Sequence, residues 1–226
     1  MRTVFATDLA STWRLHVQQG LLGAVAALCV AWGAGPAAMA PMLIGMIALG
    51  FLFNASAYDD INGWLAFRAA LPVSRRAMTV GRYASVLVQA LGASLLAFLL
   101  GLGLNALTRG LGPIGRIRPV DSTTLLLSVA LGLGIAMTAC ALCLPLIARF
   151  GLTRGIRLLP LVLVVLALVG SWLADESVLR RAGEELLQWV SAVGAGAIVA
   201  VGLIACLILY GASMAASIRL FRSRQL

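Results

Sequence analysis

The chain has 226 residues, 62% hydrophobic and only 11% charged, where a soluble domain carries roughly a quarter charged residues. A hydrocarbon core about 30 Å thick takes about 20 apolar residues per helical span, so six spans with short loops use nearly the whole length and exclude a soluble catalytic domain. All 17 basic residues are arginine, and the net charge of +9 is scattered between apolar runs; this excludes a G-x-x-x-x-G-K-[ST] nucleotide loop and suits anionic lipid headgroups better than nucleic acid.

In chain order, residues 1–19 place Phe5, Leu9, Trp13 and Val17 four apart, with Arg2, Asp8, Arg14 and Gln18 on other faces. That pattern predicts a short amphipathic helix at the membrane surface; the alternative is a frayed start to the first span. No continuous apolar core precedes Gly20, so a cleavable signal peptide is not expected. Leu15 to Tyr58 carries no formal charge over 44 residues. This is twice one span, and the break is expected at Gly33-Ala34-Gly35-Pro36. After the polar block Tyr58–Tyr83 comes a third apolar run to Thr108, then a loop from Arg109 to Asp121 rich in glycine and proline. The fourth run, Ser122–Ala148, is expected to break near its end at Pro145. A basic loop, Arg149–Arg157, leads to the fifth run, Leu158–Ala174, only 17 residues long. A charged, helix-like Asp175–Glu185 precedes the last run, Leu186–Ile218, whose end near Ser213 and Ser217 is expected to leave the hydrocarbon.

The expected fold is therefore an all-α integral membrane protein, a single six-span domain over residues 1–226. Its spans fall at about 20–35, 37–57, 83–107, 122–148, 158–174 and 187–214. With both termini inside, twelve of the 17 arginines lie in cytoplasmic segments, and the positive-inside rule selects this N-in, C-in orientation.

The expected spans hold no charged residue at mid-membrane, whereas a proton-coupled carrier needs an ionisable relay there. The one histidine, His16, lies in the amphipathic start, so an H-E-x-x-H metal site is not available, and a serine enzyme built on Ser94, Ser128 or Ser171 is disfavoured because no histidine lies beside them. Cys29, Cys140, Cys143 and Cys206 lie within apolar runs. The C-x-x-C at 140–143 reads as packing thiols rather than a metal or redox site. The recurrent glycines read as close-packing positions between helices.

What remains is the polar block, YDDINGWLAFRAALPVSRRAMTVGRY. Pro72 is expected to end a helix through Trp64 to Ala70, and Ser74 to cap a new one starting at Arg75. The result is a helical elbow that presents Arg68, Arg75 and Arg76 to the aqueous side. A lipid-facing basic loop would need the arginines but not Asp59, Asp60, Trp64 or the proline-serine corner.

ALPVSRRAMTVGRY, preceded by YDDINGW, resembles the signature of ABC-2 type transporter permeases, in which an acidic pair, a tryptophan and L-P-[VI]-S-R-x-x-x-[VT]-x-x-R-Y lie between spans two and three. LPLIARFGLTRGIR is similar to the family's segment after span four, and ASMAASIRLFRSRQL to its S-x-x-x-S-x-[RK] ending. The departures are Asp60 where glutamate is usual, Asn62 where lysine is common, and arginine at every lysine position.

The resemblance implies a dimer of permeases, each with a cytoplasmic ABC ATP-binding subunit that carries the ATP and magnesium, and no cofactor in this chain. It assigns Asp59, Asp60, Trp64, Arg68, Leu71, Pro72, Ser74, Arg75, Arg76 and Arg82 to a first coupling contact with that ATPase. Arg149, Phe150, Gly151, Arg154 and Arg157 fall to a second. The expected function is the permease subunit of an ATP-driven exporter in a bacterial-type plasma membrane, not itself an enzyme. Its cargo would be amphipathic or hydrophobic: a peptide, as in the similar phenol-soluble modulin exporters, a drug or a lipid-like compound. The alternative is a non-transporting membrane anchor or regulator that recruits a cytoplasmic ATPase.

Overall fold

The computed structural model describes residues 13–61, 74–111, 117, 119–152 and 195–222. Among them five helices are found: α1 (Trp13–Ala34), α2 (Pro36–Ile61), α3 (Arg75–Leu111), α4 (Ser122–Phe150) and α5 (Ala195–Arg222). Helices α2 to α5 are each long and apolar enough to cross a membrane, while the apolar part of α1, Val17–Gly33, is shorter. The expected fifth run at 158–174, the charged segment 175–185 and residues 1–12 lie outside the described residues.

One expectation about a helix break fails. Pro145 does not break the fourth helix; α4 continues through it to Phe150, as membrane helices do when a neighbour takes up the released carbonyl. Near the N-terminus α1 runs unbroken from Trp13 through Gly20, since a lone glycine costs a helix only about 1 kcal/mol; the rest of the expected surface helix lies outside the described residues. The real stops have a left-handed glycine. Gly35 (φ 90) separates α1 from α2, and Gly151 (φ 78) ends α4 with its N–H on the Ile147 carbonyl at 2.8 Å.

At the other end of α3, Asn105 holds the chain as it returns. Its side-chain amide donates to the Val120 carbonyl at 2.8 Å and accepts the Val120 N–H at 2.9 Å. One residue on, Asp121 caps α4 by accepting the Thr123 N–H. α3 runs past Arg109, where a loop was expected to start, as far as Leu111.

The core is built on α2, which packs against α1, α3 and α4, while α4 and α3 both carry α5. Leu43, Ile44, Phe51 and Leu52 of α2 are fully buried, and the helices facing them supply small residues, Ala27, Ala31, Ala90, Ala97 and Ala136. With lipid as apolar as the interior, association rests on close packing, which small side chains permit. Large apolar residues such as Leu22, Leu95, Leu131 and Ile208 point outward, the arrangement a bilayer requires.

Among the described glycines, Gly132 marks the tightest approach to another helix's backbone. A Cβ there would lie 2.7 Å from the Cα of Pro41, a backbone atom that cannot rotate aside. Gly103 faces open space. Gly132→Ala is therefore expected to force α2 and α4 apart at a cost of about 1–3 kcal/mol, lowering the detergent-solubilised protein's Tm by several degrees. Gly103→Ala should leave it unchanged; equal Tm values for the two variants would contradict this packing.

Candidate coupling site at one end of the bundle

Ser74 begins the site. Its Oγ accepts the Ala77 N–H at 3.2 Å and its carbonyl accepts the Met78 N–H at 3.1 Å, so it caps α3 as the sequence led one to expect. Arg75 and Arg76 follow, both exposed, and no acidic residue shares that first turn. Arginines at a helix N-terminus add to the positive end of its dipole, a placement that folding alone does not favour.

Two turns on, Arg82 forms an ion pair with Asp59 in the last turn of α2. The two side chains are 13% and 14% exposed, so the pair is screened little by solvent and ties the base of α3 to the end of α2.

Tyr83 makes the next connection. Its hydroxyl lies 2.7 Å from Ser213 Oγ and 2.7 Å from Ser217 Oγ on α5. Its main-chain carbonyl accepts the hydroxyl of Tyr210 at 2.9 Å, and the two tyrosine rings meet edge to face at 4.9 Å. Ser213 in turn donates to the Ala141 carbonyl of α4 at 2.6 Å. Most other described hydroxyls in the helices, those of Ser56, Thr79, Ser85, Ser94 and Ser128, turn back on the carbonyl four residues earlier. Such bonds satisfy the group within its own helix. Tyr83, Tyr210 and Ser213 instead join separate helices.

At the end of α4, Arg149 and Phe150 are exposed and Gly151 is buried at the cap. The positive φ of Gly151 explains why glycine stands there. Of the residues expected to couple to an ATPase, the structure thus brings Asp59 and Arg82 together and places Ser74, Arg75 and Arg76 on the first turn of the same helix as Arg82. Asp60 lies in the last turn of α2. Trp64, Arg68, Leu71, Pro72, Arg154 and Arg157 lie outside the described residues.

The sequence analysis singled out Ser213 and Ser217 only as the serines of the S-x-x-x-S-x-[RK] ending, and gave Tyr210 no role. Their spacing of three and four carried the signal, since it puts them on one stripe of a helix. That stripe continues to Cys206 and the buried Phe221.

Between α4 and α5 lies an apolar groove of about 620 Å³, lined by Leu131, Ile135, Leu142, Ile198 and Leu203, with Thr138 as its one hydroxyl. Cys140 and Cys143 are free and buried. Among the described residues no cluster of His, Cys, Asp or Glu could hold a metal.

Long apolar helices, with their charge gathered at the ends and their interhelical hydroxyls at one of them, are the build of a multi-pass membrane protein. This chain belongs to the ABC-2 family: a family model described as ABC-2 family transporter protein matches residues 5–222. It is thus a membrane permease component of an ABC transporter, a family that works with an ABC ATP-binding subunit. No match was found among curated proteins or solved structures.

Asp59→Ala removes the carboxylate facing a largely buried guanidinium, and is expected to cost about 3–5 kcal/mol, seen as lost folded yield and a lower Tm. Exchanging the charges, Asp59→Arg with Arg82→Asp, should recover much of that loss. A swapped protein no more stable than the single variants would mean that the pair is not what joins α2 to α3.

Proposed function

We propose that this chain is the permease subunit of an ATP-driven exporter, with six spans and both termini in the cytoplasm of a bacterial-type cell. It works as a dimer in the plasma membrane, and its energy comes from ATP and magnesium held by a separate ABC ATP-binding subunit on the arginine-rich side. The observation that carries the reading is the continuity of α3. At 1.5 Å per residue its 37 residues extend about 55 Å, against a hydrocarbon core of about 30 Å. The uncharged part begins only after Arg82, so Ser74 to Arg82 projects from the membrane as a rigid extension of a span. A force on Arg75 and Arg76 is delivered into the bundle with no loop in between.

The exposed arginines on a helix dipole's positive end fit an acidic surface on the partner. Arg149 and Phe150 offer a second contact, with Arg154 and Arg157 beyond it in sequence, and Asp59, Asp60, Trp64, Arg68, Leu71 and Pro72 complete the elbow. Closure of the partner subunits on ATP would tilt α3 and bias the bundle between inward-open and outward-open states. The apolar walls between helices support an amphipathic or hydrophobic cargo, a peptide, drug or lipid-like molecule.

Co-expression with the ATP-binding subunit tests the docking. The parent chain is expected to retain it through purification, and Arg75→Glu with Arg76→Glu to lose it and the permease-dependent ATPase rate. Retention and rate unchanged in the double variant would refute docking at the elbow. In proteoliposomes of the complex, ATP-driven movement of a fluorescent amphipathic peptide, lipid or dye is expected. Hydrolysis with none of the three moved would favour the anchor or regulator instead.

A further inference from the structure

The three hydroxyl contacts at the base of α3 have one consistent proton assignment. The Ala141 carbonyl can only accept, so the single hydroxyl proton of Ser213 goes to it. Ser213 Oγ must then accept the proton of Tyr83, 2.7 Å away. With that proton committed, the Tyr83 oxygen accepts from Ser217. The chain therefore runs in one direction, Ser217 to Tyr83 to Ser213 to Ala141, through α5, α3, α5 again and α4.

Its last acceptor is a main-chain carbonyl inside a helix, which normally belongs to the N–H four residues on. For Ala141 that residue is Pro145, which has no N–H to give. The carbonyl of Ala141 is left for a donor from another helix, and Ser213 supplies it. We infer that Pro145 is the positioning residue of a joint: by withholding its amide hydrogen it turns Ser213 toward α4 and orients the whole hydroxyl chain, so that the base of α3 and the ends of α4 and α5 move as one body. This rests on the coupling reading above for its purpose. It adds that force entering at Arg75 and Arg76 leaves α3 one residue after the Asp59–Arg82 pair, through Tyr83, into the last and fourth spans.

The discriminating variant is Pro145→Ala. Alanine suits a helix far better than proline, so α4 itself should be no weaker. The new N–H, however, occupies the carbonyl along the helix axis, so Ser213 has to share an acceptor it now holds alone and its bond is expected to weaken. Amide hydrogen exchange, followed by mass spectrometry on the full chain alone and in its complex, is expected to speed up about fivefold over residues 213–222 in Pro145→Ala. Protection of α4 should hold. Ser213→Ala should give the same rise, and the double variant no more than either one, because both remove the same bond. Permease-dependent ATP hydrolysis should fall by a similar factor in all three, with the subunits still co-purifying.

Protection of residues 213–222 unchanged by Pro145→Ala would overturn the inference, as would effects that multiply in the double variant. Exchange that responds while ATP hydrolysis does not would overturn the coupling role of the joint and leave docking at Arg75 and Arg76 standing. Loss of the ATP-binding subunit from the parent complex would instead contradict the proposed function.

Discussion

Polar groups within an apolar bundle must find their partners inside it, and that constraint decides what each hydroxyl in this protein does. Where a helix is regular its carbonyls are occupied, and serine and threonine side chains fold back on them without linking one helix to another. Where Pro145 releases the carbonyl of Ala141, an acceptor opens on the side of α4, and Ser213 of α5 reaches it. The tyrosines and serines around that point then form the polar contact between three helices. Beside it the Asp59–Arg82 pair adds α2. Arg82 and Tyr83 are consecutive in sequence, so four helices are fastened through one turn of α3.

That turn sits at the boundary between two regimes. Beyond it toward Leu111 the helix is largely apolar and meets its neighbours through its own small residues, Ala90, Ala97 and Gly101, which allow close approach but supply little that is directional. Before it, toward Ser74, the helix is charged and longer than any bilayer requires. A helix pinned at the boundary, with a charged, capped segment continuing beyond it, is mechanically a lever. The cap at Ser74 gives the projecting end a defined start. In the proposed reading the partner acts on that end, and the apolar spans, which offer no ionisable relay, respond as rigid bodies.

Much of this was legible from residue order alone. The uncharged runs and the proline-serine corner led to a multi-span membrane protein, to the Ser74 cap and to a break within Gly33–Pro36, and the family resemblance of ALPVSRRAMTVGRY led to a permease. The expected break at Pro145 failed because the proline was read as if in water: within a bundle the interruption is absorbed by a neighbouring hydroxyl. The Tyr83 joint was missed for a related reason. Its members lie far apart in sequence, at positions 83, 141 and 210–217, and a spacing of three and four gives one helix stripe without saying which helix it meets. The arginines could be counted, whereas the proton directions needed distances.

The central claim is that a partner's force enters at the first turn of α3. A photocrosslinking amino acid at position 76, and in a second protein at position 109 near the opposite end of the same helix, tests it in intact membranes holding both subunits. The account predicts a covalent adduct with the ATP-binding subunit from position 76 and none from 109. An adduct from 109 with none from 76 would contradict it.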